Sequence, residues 1–195
     1  MIASVLRLSR SDCKALKITD AYSIHRVVYG LFPGDARDFL FVDKGGDFNS
    51  RQILILSGRS PETPHHGEIE SKRIPEGFLE HEHYGFETTI NPTKRDQQTG
   101  KTVAIRGREN LLPWFLKKAP SLGFEIQADS LEIRHAGVQT FDLGEGKIVT
   151  HNSALFVGKL KVTDRKKFQE SFRKGIGRAK AFGFGLLQIV PLQMQ

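Results

Sequence analysis

The order of the apolar patterns repeats along this chain, and that order limits the folds open to it. In the second half, patterns of period 2 and period 3.6 follow one another as strand, helix, strand, strand, helix, strand. The predicted strands cover residues 83–90, 124–134, 152–162 and 186–191, and the predicted helices cover about 109–122 and 164–174. This β-α-β-β-α-β order is that of the ferredoxin-like, or RRM-like, unit.

The first half follows the same order with one element reduced. A helix is predicted from its N-cap Asp20 to about Phe32, where Pro33-Gly34 stops it. After Gly58, a loop rich in proline and histidine occupies the place of the unit's second helix. The predicted strands are 2–8, 38–43, 51–57 and about 68–73. We therefore predict an α+β fold with tandem ferredoxin-like domains, at residues 1–78 and 79–195, the first with a reduced second helix.

Several classes of protein do not fit this sequence. No apolar run approaches the roughly 20 residues of a membrane-spanning helix, and the apolar start of the chain is too short for a secretory signal. The only cysteine is Cys13, so no disulfide can form within the chain. The pairs His65-His66 and His81-x-His83 lack a cysteine or carboxylate set at metal-ligand spacing. We expect a cytoplasmic protein with no metal, cofactor or membrane partner.

Positive charge is unevenly distributed along the chain. The formal net charge is +7 and the isoelectric point is about 9.6, which favours a polyanionic partner such as nucleic acid. Most lysine and arginine clusters lie in the second half. Between residues 134 and 152 we predict a long hairpin with Arg134 and Lys147 near its base. Such an arm is suited to entering a nucleic-acid groove, although a simple surface hairpin has the same pattern.

One face of the first predicted helix carries side chains suited to cleaving a phosphodiester. Tyr22, His25, Arg26 and Tyr29 follow the spacing i, i+3, i+4, i+7, opposite the apolar face. An imidazole exchanges protons near neutral pH, a tyrosine hydroxyl can share that transfer, and a guanidinium offsets negative charge on phosphorus. RNA needs no metal for this reaction, because its own 2′-hydroxyl is the nucleophile. Taken alone, the same stripe is also common on solvated helix surfaces.

A glycine-rich segment precedes the last predicted strand. The sequence from Gly175 to Leu187 reads GIGRAKAFGFGLL. Gly175 and Gly177 can adopt positive φ and turn backbone N–H groups toward a phosphate, while Gly183 and Gly185 allow close backbone approach. Arg178 and Lys180 add positive charge to the segment, and no nucleotide-binding P-loop pattern is present. The alternative is a purely structural glycine turn.

The glycine-rich segment resembles the C-terminal signature of the CRISPR-associated endoribonucleases that cut repeat RNA. Two further motifs resemble the CasE branch, which makes crRNA within the type I-E Cascade complex. These are Tyr22-Ser-Ile-His25-Arg26 and Ile90-Asn91-Pro92-Thr93-Lys94-Arg95, the latter followed by Gly100-Lys101. The three motifs stand in the family's order and span nearly the whole chain.

The resemblance implies tandem ferredoxin-like domains and metal-independent cleavage on the 3′ side of a repeat stem-loop. The expected products are a 2′,3′-cyclic phosphate, or a 3′-phosphate, and a 5′-hydroxyl, with the crRNA retained among the other Cascade subunits. His25 would be the general acid or base and Tyr22 its partner; Arg26 is added from the helix stripe. The reduced second helix of the first domain departs from the family's pattern.

The residues predicted to bind RNA share positive charge or glycine flexibility. They are Lys94, Arg95, Lys101, Arg134, Lys147, Arg173, Lys174, Gly175, Gly177, Arg178, Lys180, Gly183 and Gly185. Two alternatives to a nuclease stay open. The chain could be a non-catalytic module of the same fold that binds an RNA hairpin, or a basic structural subunit that contacts other proteins.

Overall fold

The computed structural model describes residues 1–34, 37–46, 50–143 and 147–193. They divide into two compact units. The first comprises residues of Met1–Pro75, Thr140–Val149 and Ala181–Gly183, and the second comprises residues of Glu76–Gln139, Thr150–Lys180 and Phe184–Gln195. The domain boundary at residue 78 stays a prediction. Within the described residues, no helix is both long and apolar enough to cross a membrane.

The first unit is built on an antiparallel sheet of four strands. The strands are Ile2–Ser9 (β1), Phe39–Gly46 (β2), Ser50–Ser57 (β3) and Glu68–Arg73 (β4), and the helices are Arg10–Ala15 (α1) and Ala21–Gly30 (α2). The sheet order β2-β3-β1-β4 places the first and third strands in the centre, as the ferredoxin-like unit requires. Residues 58–67 form no helix, in agreement with the predicted reduction.

The apolar face of α2 holds this unit together. Ile24 and Val28 lie one turn apart and are buried against the sheet, together with Leu31 at the end of the helix. They pack in one cluster with alternate residues of the central strands, such as Leu6 and Ile53. This packing leaves the opposite side of α2, with Tyr22, His25 and Arg26, away from the core.

The second unit has its own sheet, with two helices. The strands and helices that follow along the chain are His83–Ile90 (β5), Thr93–Arg95 (β6), Thr102–Ala104 (β7), Arg108–Lys118 (α3), Phe124–Ile126 (β8), Glu132–Asp142 (β9), Ile148–Val162 (β10), Arg165–Lys174 (α4) and Gln188–Pro191 (β11). The end of β9 from Thr140 and the start of β10 up to Val149 belong to the first unit. The sheet order β11-β5-β10-β8 repeats the ferredoxin-like arrangement, while β9 pairs with β10 and β6 with β7. Short 3₁₀ turns lie at Ala119–Leu122, Ala128–Ser130 and Lys180–Phe182.

The structure differs from the sequence prediction at several short elements. The predicted strand 124–134 is interrupted after Ile126 by the 3₁₀ turn, and β9 begins only at Glu132. β9 and β10 then form the predicted long hairpin, and residues 144–146 lie outside the described part of the chain. The six-residue α1 and the β6–β7 hairpin were not predicted, because they are too short to carry a periodic signal.

Candidate active site and cationic cleft

The start of α2 is fixed by a capping box. The Asp20 side chain accepts a hydrogen bond from the Ser23 backbone N–H, and the Ser23 side chain reaches back to the Asp20 backbone. The hydrogen bond from the Ser23 hydroxyl lowers the pKa of Asp20, with a smaller contribution from the charge of Arg26. A charged carboxylate therefore caps α2 at neutral pH. The cap sets the direction in which the first turn presents Tyr22 and His25.

His25 is half-buried among three aromatic rings of the first unit. Its ring stacks on Tyr22 with centroids 5.2 Å apart and lies 4.0 Å from the centroid of Tyr29. On another side, Phe182 stacks at a centroid distance of 5.7 Å. The His25 Nδ1 atom is 2.6 Å from the carbonyl oxygen of Ala181. The imidazole is therefore held both by packing and by a long-range hydrogen bond.

The hydrogen bond to Ala181 selects the tautomer of His25. A carbonyl oxygen only accepts, so Nδ1 carries the hydrogen and donates it. Nε2 of the neutral ring is then the basic nitrogen, and after protonation the same atom is an acid. The arrangement thus presents one nitrogen for proton exchange while the other orients the ring.

Arg26 completes the predicted stripe. Its side chain is exposed, and its guanidinium carbon is 6.0 Å from the centroid of the Tyr22 ring. The three predicted catalytic residues therefore lie together on one face of α2. Sequence reasoning missed Ala181 and Phe182 as partners of His25, because 156 positions separate Ala181 from the histidine and nothing local signals the contact. The catalytic roles stay predictions.

The second unit carries a polar, cationic cleft of about 420 Å³. It lies among the β6–β7 hairpin, α3 and the glycine-rich segment. Its lining includes Lys94, Arg95, Trp114, Lys118, Gly177 and Arg178. Four of these were predicted to bind RNA, whereas Trp114 and Lys118 were not in the predicted set. The charge pattern shows that α3 ends in two lysines, but it does not reveal which of them lines the cleft.

Asn91 connects the cleft to the sheet. It is buried at the end of β5, and its backbone pairs with that of Arg178 in an isolated β-bridge. Its side-chain amide donates to Nδ1 of His151 over 3.2 Å. Burial lowers the pKa of His151, which favours the neutral ring that can accept this bond. The asparagine of the Asn-Pro motif thus has a structural role that the sequence analysis did not assign.

Backbone hydrogen bonds hold the glycine-rich segment in place. All four predicted glycines have positive φ: 74° at Gly175, 76° at Gly177, 86° at Gly183 and 83° at Gly185. The carbonyl of Gly185 accepts from Ile176 N–H, and its N–H donates to the carbonyl of Thr89 in β5. A Cβ on Gly185 would lie 2.2 Å from the Ile176 carbonyl oxygen, and one on Gly183 would lie 3.0 Å from the Phe41 ring. Packing against backbone requires glycine at position 185, whereas Gly183 is tightly packed against the Phe41 side chain. The contact of both glycines with RNA stays a prediction.

The other predicted RNA-binding residues do not line the cleft. Arg134 is exposed on β9, 4.0 Å from the Glu87 carboxylate, and Lys174 at the end of α4 is 2.7 Å from the Glu170 carboxylate. Of the rest, Lys101, Lys147 and Arg173 are exposed, whereas Gly175 and Lys180 are half-buried. The ion pair between Lys174 and Glu170 is exposed on both sides and contributes little to stability. For each of the predicted residues, the RNA-binding role stays a prediction.

No cluster of three or more metal-ligating His, Cys, Asp or Glu side chains occurs within residues 1–34, 37–46, 50–143 and 147–193.

Comparison with known proteins gives consistent matches over the length of the chain. The family described as CRISPR associated protein matches residues 1–191. The CRISPR-associated endoribonuclease Cse3 of Thermus thermophilus is 30% identical over 120 residues, which are 54% of this chain and 54% of that protein. The CRISPR system Cascade subunit CasE of Escherichia coli is 26% identical over 189 residues, which are 89% of this chain and 93% of that protein.

Solved structures share the fold. Cse3 bound to a 19-nucleotide RNA superimposes with a TM-score of 0.83 at 21% identity, covering 98% of this chain and all of the other. Cas6e from Escherichia coli K-12 superimposes with a TM-score of 0.75 at 22% identity and the same coverage. At these sequence identities the structural similarity establishes the fold alone. It confirms the predicted α+β class with tandem ferredoxin-like domains.

Proposed function

The chain belongs to the CRISPR associated protein family, and we propose that it is a metal-independent endoribonuclease that cleaves CRISPR precursor RNA within each repeat. The cut lies on the 3′ side of a stem-loop, and the mature crRNA stays bound while the chain joins other subunits of Cascade in the cytoplasm. The relatives named Cse3 and CasE support this proposal. The observation that carries the chemistry is the hydrogen bond from His25 Nδ1 to the Ala181 carbonyl, which makes Nε2 the basic nitrogen of the neutral ring.

The reaction follows from the chemistry of RNA. The ribose 2′-oxygen attacks the adjacent phosphorus, and the bond from phosphorus to the 5′-oxygen breaks. The 2′-hydroxyl loses its proton and the departing 5′-oxygen gains one, which leaves a 2′,3′-cyclic phosphate and a 5′-hydroxyl. Nε2 of His25 serves one of these transfers and the Tyr22 hydroxyl assists. Arg26 offsets the negative charge that develops on the pentacoordinate phosphorus.

Affinity for the RNA comes chiefly from the cations of the second unit. A stem presents phosphates and shape rather than readable base edges. The cleft lined by Lys94, Arg95 and Arg178 offers several positive charges within about 420 Å³. Binding that displaces counterions from phosphates weakens steeply with salt. The proposal therefore requires a strongly salt-dependent affinity for the hairpin.

The decisive experiment is single-turnover cleavage of the chain's own repeat hairpin in EDTA. We expect cleavage to proceed in EDTA and the His25→Ala variant to lose about 10²–10⁴-fold in rate with its affinity for RNA nearly intact. Activity that EDTA abolishes would contradict the metal-independent reaction. If the His25→Ala protein cleaved as fast as the parent, the stripe would have no catalytic role, and the chain would be a non-catalytic module that binds the hairpin.

A further inference from the structure

A second cavity lies beside the proposed catalytic stripe, within the first unit. It has a volume of about 280 Å³ and lies between α2 and the loop 62–66. Its apolar lining includes Leu16, Val27 and Leu31. Its polar lining comprises Ser23, Arg26, Glu62, Thr63 and the exposed pair His65 and His66. The proposed reaction uses neither this cavity nor the histidine pair.

The loop that closes this cavity is tied to the end of α2. The Glu62 backbone N–H donates to the Leu31 carbonyl over 2.9 Å. The Arg59 guanidinium donates to the carbonyls of Phe32 and Pro33. These bonds hold the loop against the helix end, so the cavity is preformed.

Gly30 is a cavity-lining residue at which the fold does not require glycine. It lines the cavity as the last residue of α2, and its φ is not in the left-handed region. A Cβ placed there would meet no atom within 4 Å. Neither backbone conformation nor crowding requires glycine, which is a poor residue for a helix. Because Gly30 lines the cavity, we expect a bulky side chain at position 30 to reduce the space within it.

Arg26 connects the cavity to the catalytic stripe. It lines the cavity, it follows His25 directly, and its guanidinium carbon is 6.0 Å from the Tyr22 ring centroid. Of the three predicted catalytic residues, Arg26 alone lines the cavity, while Tyr22 and His25 lie on the neighbouring face of α2, within one helical turn along its axis. An occupant with flat apolar faces and polar edges matches apolar walls rimmed by arginine and histidine, and a nucleobase has this chemistry.

We propose that this cavity binds the base of the unpaired nucleotide that follows the cut on its 3′ side. The inference rests on the proposed function, in which the cut lies on the 3′ side of the stem-loop. A nucleotide 3′ of the stem is unpaired, so the one that follows the cut is free to turn its base into a protein cavity. Base binding there positions the departing 5′-oxygen, so the cavity contributes to the rate and to the choice of cleavage position.

The test compares two repeat hairpins that end one nucleotide beyond the cut. One carries a base on that nucleotide and the other carries an abasic ribose. We expect the parent protein to cleave the abasic RNA about tenfold more slowly in single turnover, as the loss of one stacked base implies. In a hairpin whose attacking 2′-hydroxyl is replaced by hydrogen, 2-aminopurine at the same position should change fluorescence on binding.

Gly30→Leu supplies the protein variant, because it fills the cavity while improving helix propensity. We expect it to cleave both RNAs at the same reduced rate and to leave the 2-aminopurine signal unchanged. Ala15→Leu is the matched control, since it adds a leucine on the exposed side of α1 outside the cavity lining. It should retain the tenfold difference. Thermal unfolding of both variants verifies that they fold.

Three results would overturn the inference. Equal rates on the two RNAs with the parent protein would refute the cavity's role and leave the nuclease standing. A Gly30→Leu protein that keeps the tenfold difference would place the base elsewhere. Failure of the parent protein to cut any repeat hairpin would refute the proposed function, and this inference with it.

Discussion

The α2 stripe of the first unit and the glycine-rich cleft of the second unit are built in different ways. The stripe places three side chains by helical spacing, a capping box and one hydrogen bond from His25 to Ala181. The cleft depends on backbone geometry, with positive φ at Gly177 and a bridge between Asn91 and Arg178, and it surrounds that backbone with exposed cations. Chemistry is concentrated in the stripe, whereas positive charge is spread over the cleft.

This difference predicts how each region responds to substitution. A stripe in which a single nitrogen exchanges the proton should lose its function when one side chain is removed. A cleft with several cations should lose affinity in small steps, unless a substitution disturbs the backbone that arranges them. Four substitutions test this contrast, in order of decreasing expected effect.

His25→Ala tests whether the stripe depends on one group. We expect the single-turnover cleavage rate to fall about 10²–10⁴-fold, because proton transfer loses its positioned imidazole, while the Kd for the hairpin changes less than about threefold. His81→Ala is the control, since that exposed histidine belongs to the other unit and does not line the cleft. A parallel loss of affinity and rate would show that the two regions are not separable in this way.

Gly185→Ala tests the backbone of the glycine-rich segment. Alanine at φ 83° is strained, and its Cβ would overlap the Ile176 carbonyl oxygen at 2.2 Å. We expect the free energy of unfolding to fall by about 2–4 kcal/mol. The matched control is Gly30→Ala, where φ is ordinary and no atom lies within 4 Å, so stability should stay unchanged or rise slightly. Urea unfolding measures both, and equal effects would contradict the structural difference between these glycines.

The regular elements could be predicted from sequence because burial repeats along them. In β5 every second residue is buried, including Tyr84, Phe86 and Ile90, and the predicted bounds of 83–90 agree with the structure. The apolar face of α2 could likewise be predicted from its helical spacing of apolar residues. In contrast, α1 buries none of its six residues, so no apolar period marks it. The break between β8 and β9 falls at Ala128–Ser130, where neither glycine nor proline signals a turn.

The candidate site was predictable where it is local. Helical spacing alone brings Tyr22, His25 and Arg26 onto one face. The Ala181 carbonyl is 156 positions away along the chain. Any residue type has a backbone carbonyl, so the sequence does not indicate which one accepts the hydrogen bond from His25. For the same reason, the sequence showed lysines at 117 and 118 but not that only Lys118 faces the cleft.

Asp20→Ala tests how far the stripe depends on local capping. The variant removes the acceptor of the Ser23 N–H, and we expect the free energy of unfolding to fall by about 1 kcal/mol at pH 7. The pKa of Asp20 is lowered in the folded chain, so its charge stabilises the fold above the unfolded pKa. This contribution is lost as pH falls through the lowered folded pKa. Urea unfolding should therefore show a parent-to-variant difference that shrinks in acid; a constant difference would exclude the charged cap.

Lys118→Ala tests whether charge in the cleft is shared, and its expected effect is the smallest. Removing one phosphate contact should weaken hairpin binding about threefold and reduce the slope of log K against log salt by about 1, with the cleavage rate at saturating protein unchanged. Lys117→Ala is the matched control, because Lys117 has the same charge on the same helix and is exposed outside the cleft lining. Filter binding across a salt series distinguishes a local phosphate contact from general electrostatic attraction. If both variants reduce the salt slope by the same amount, the net charge of the unit drives binding, and the cleft contributes no more than other cationic surface.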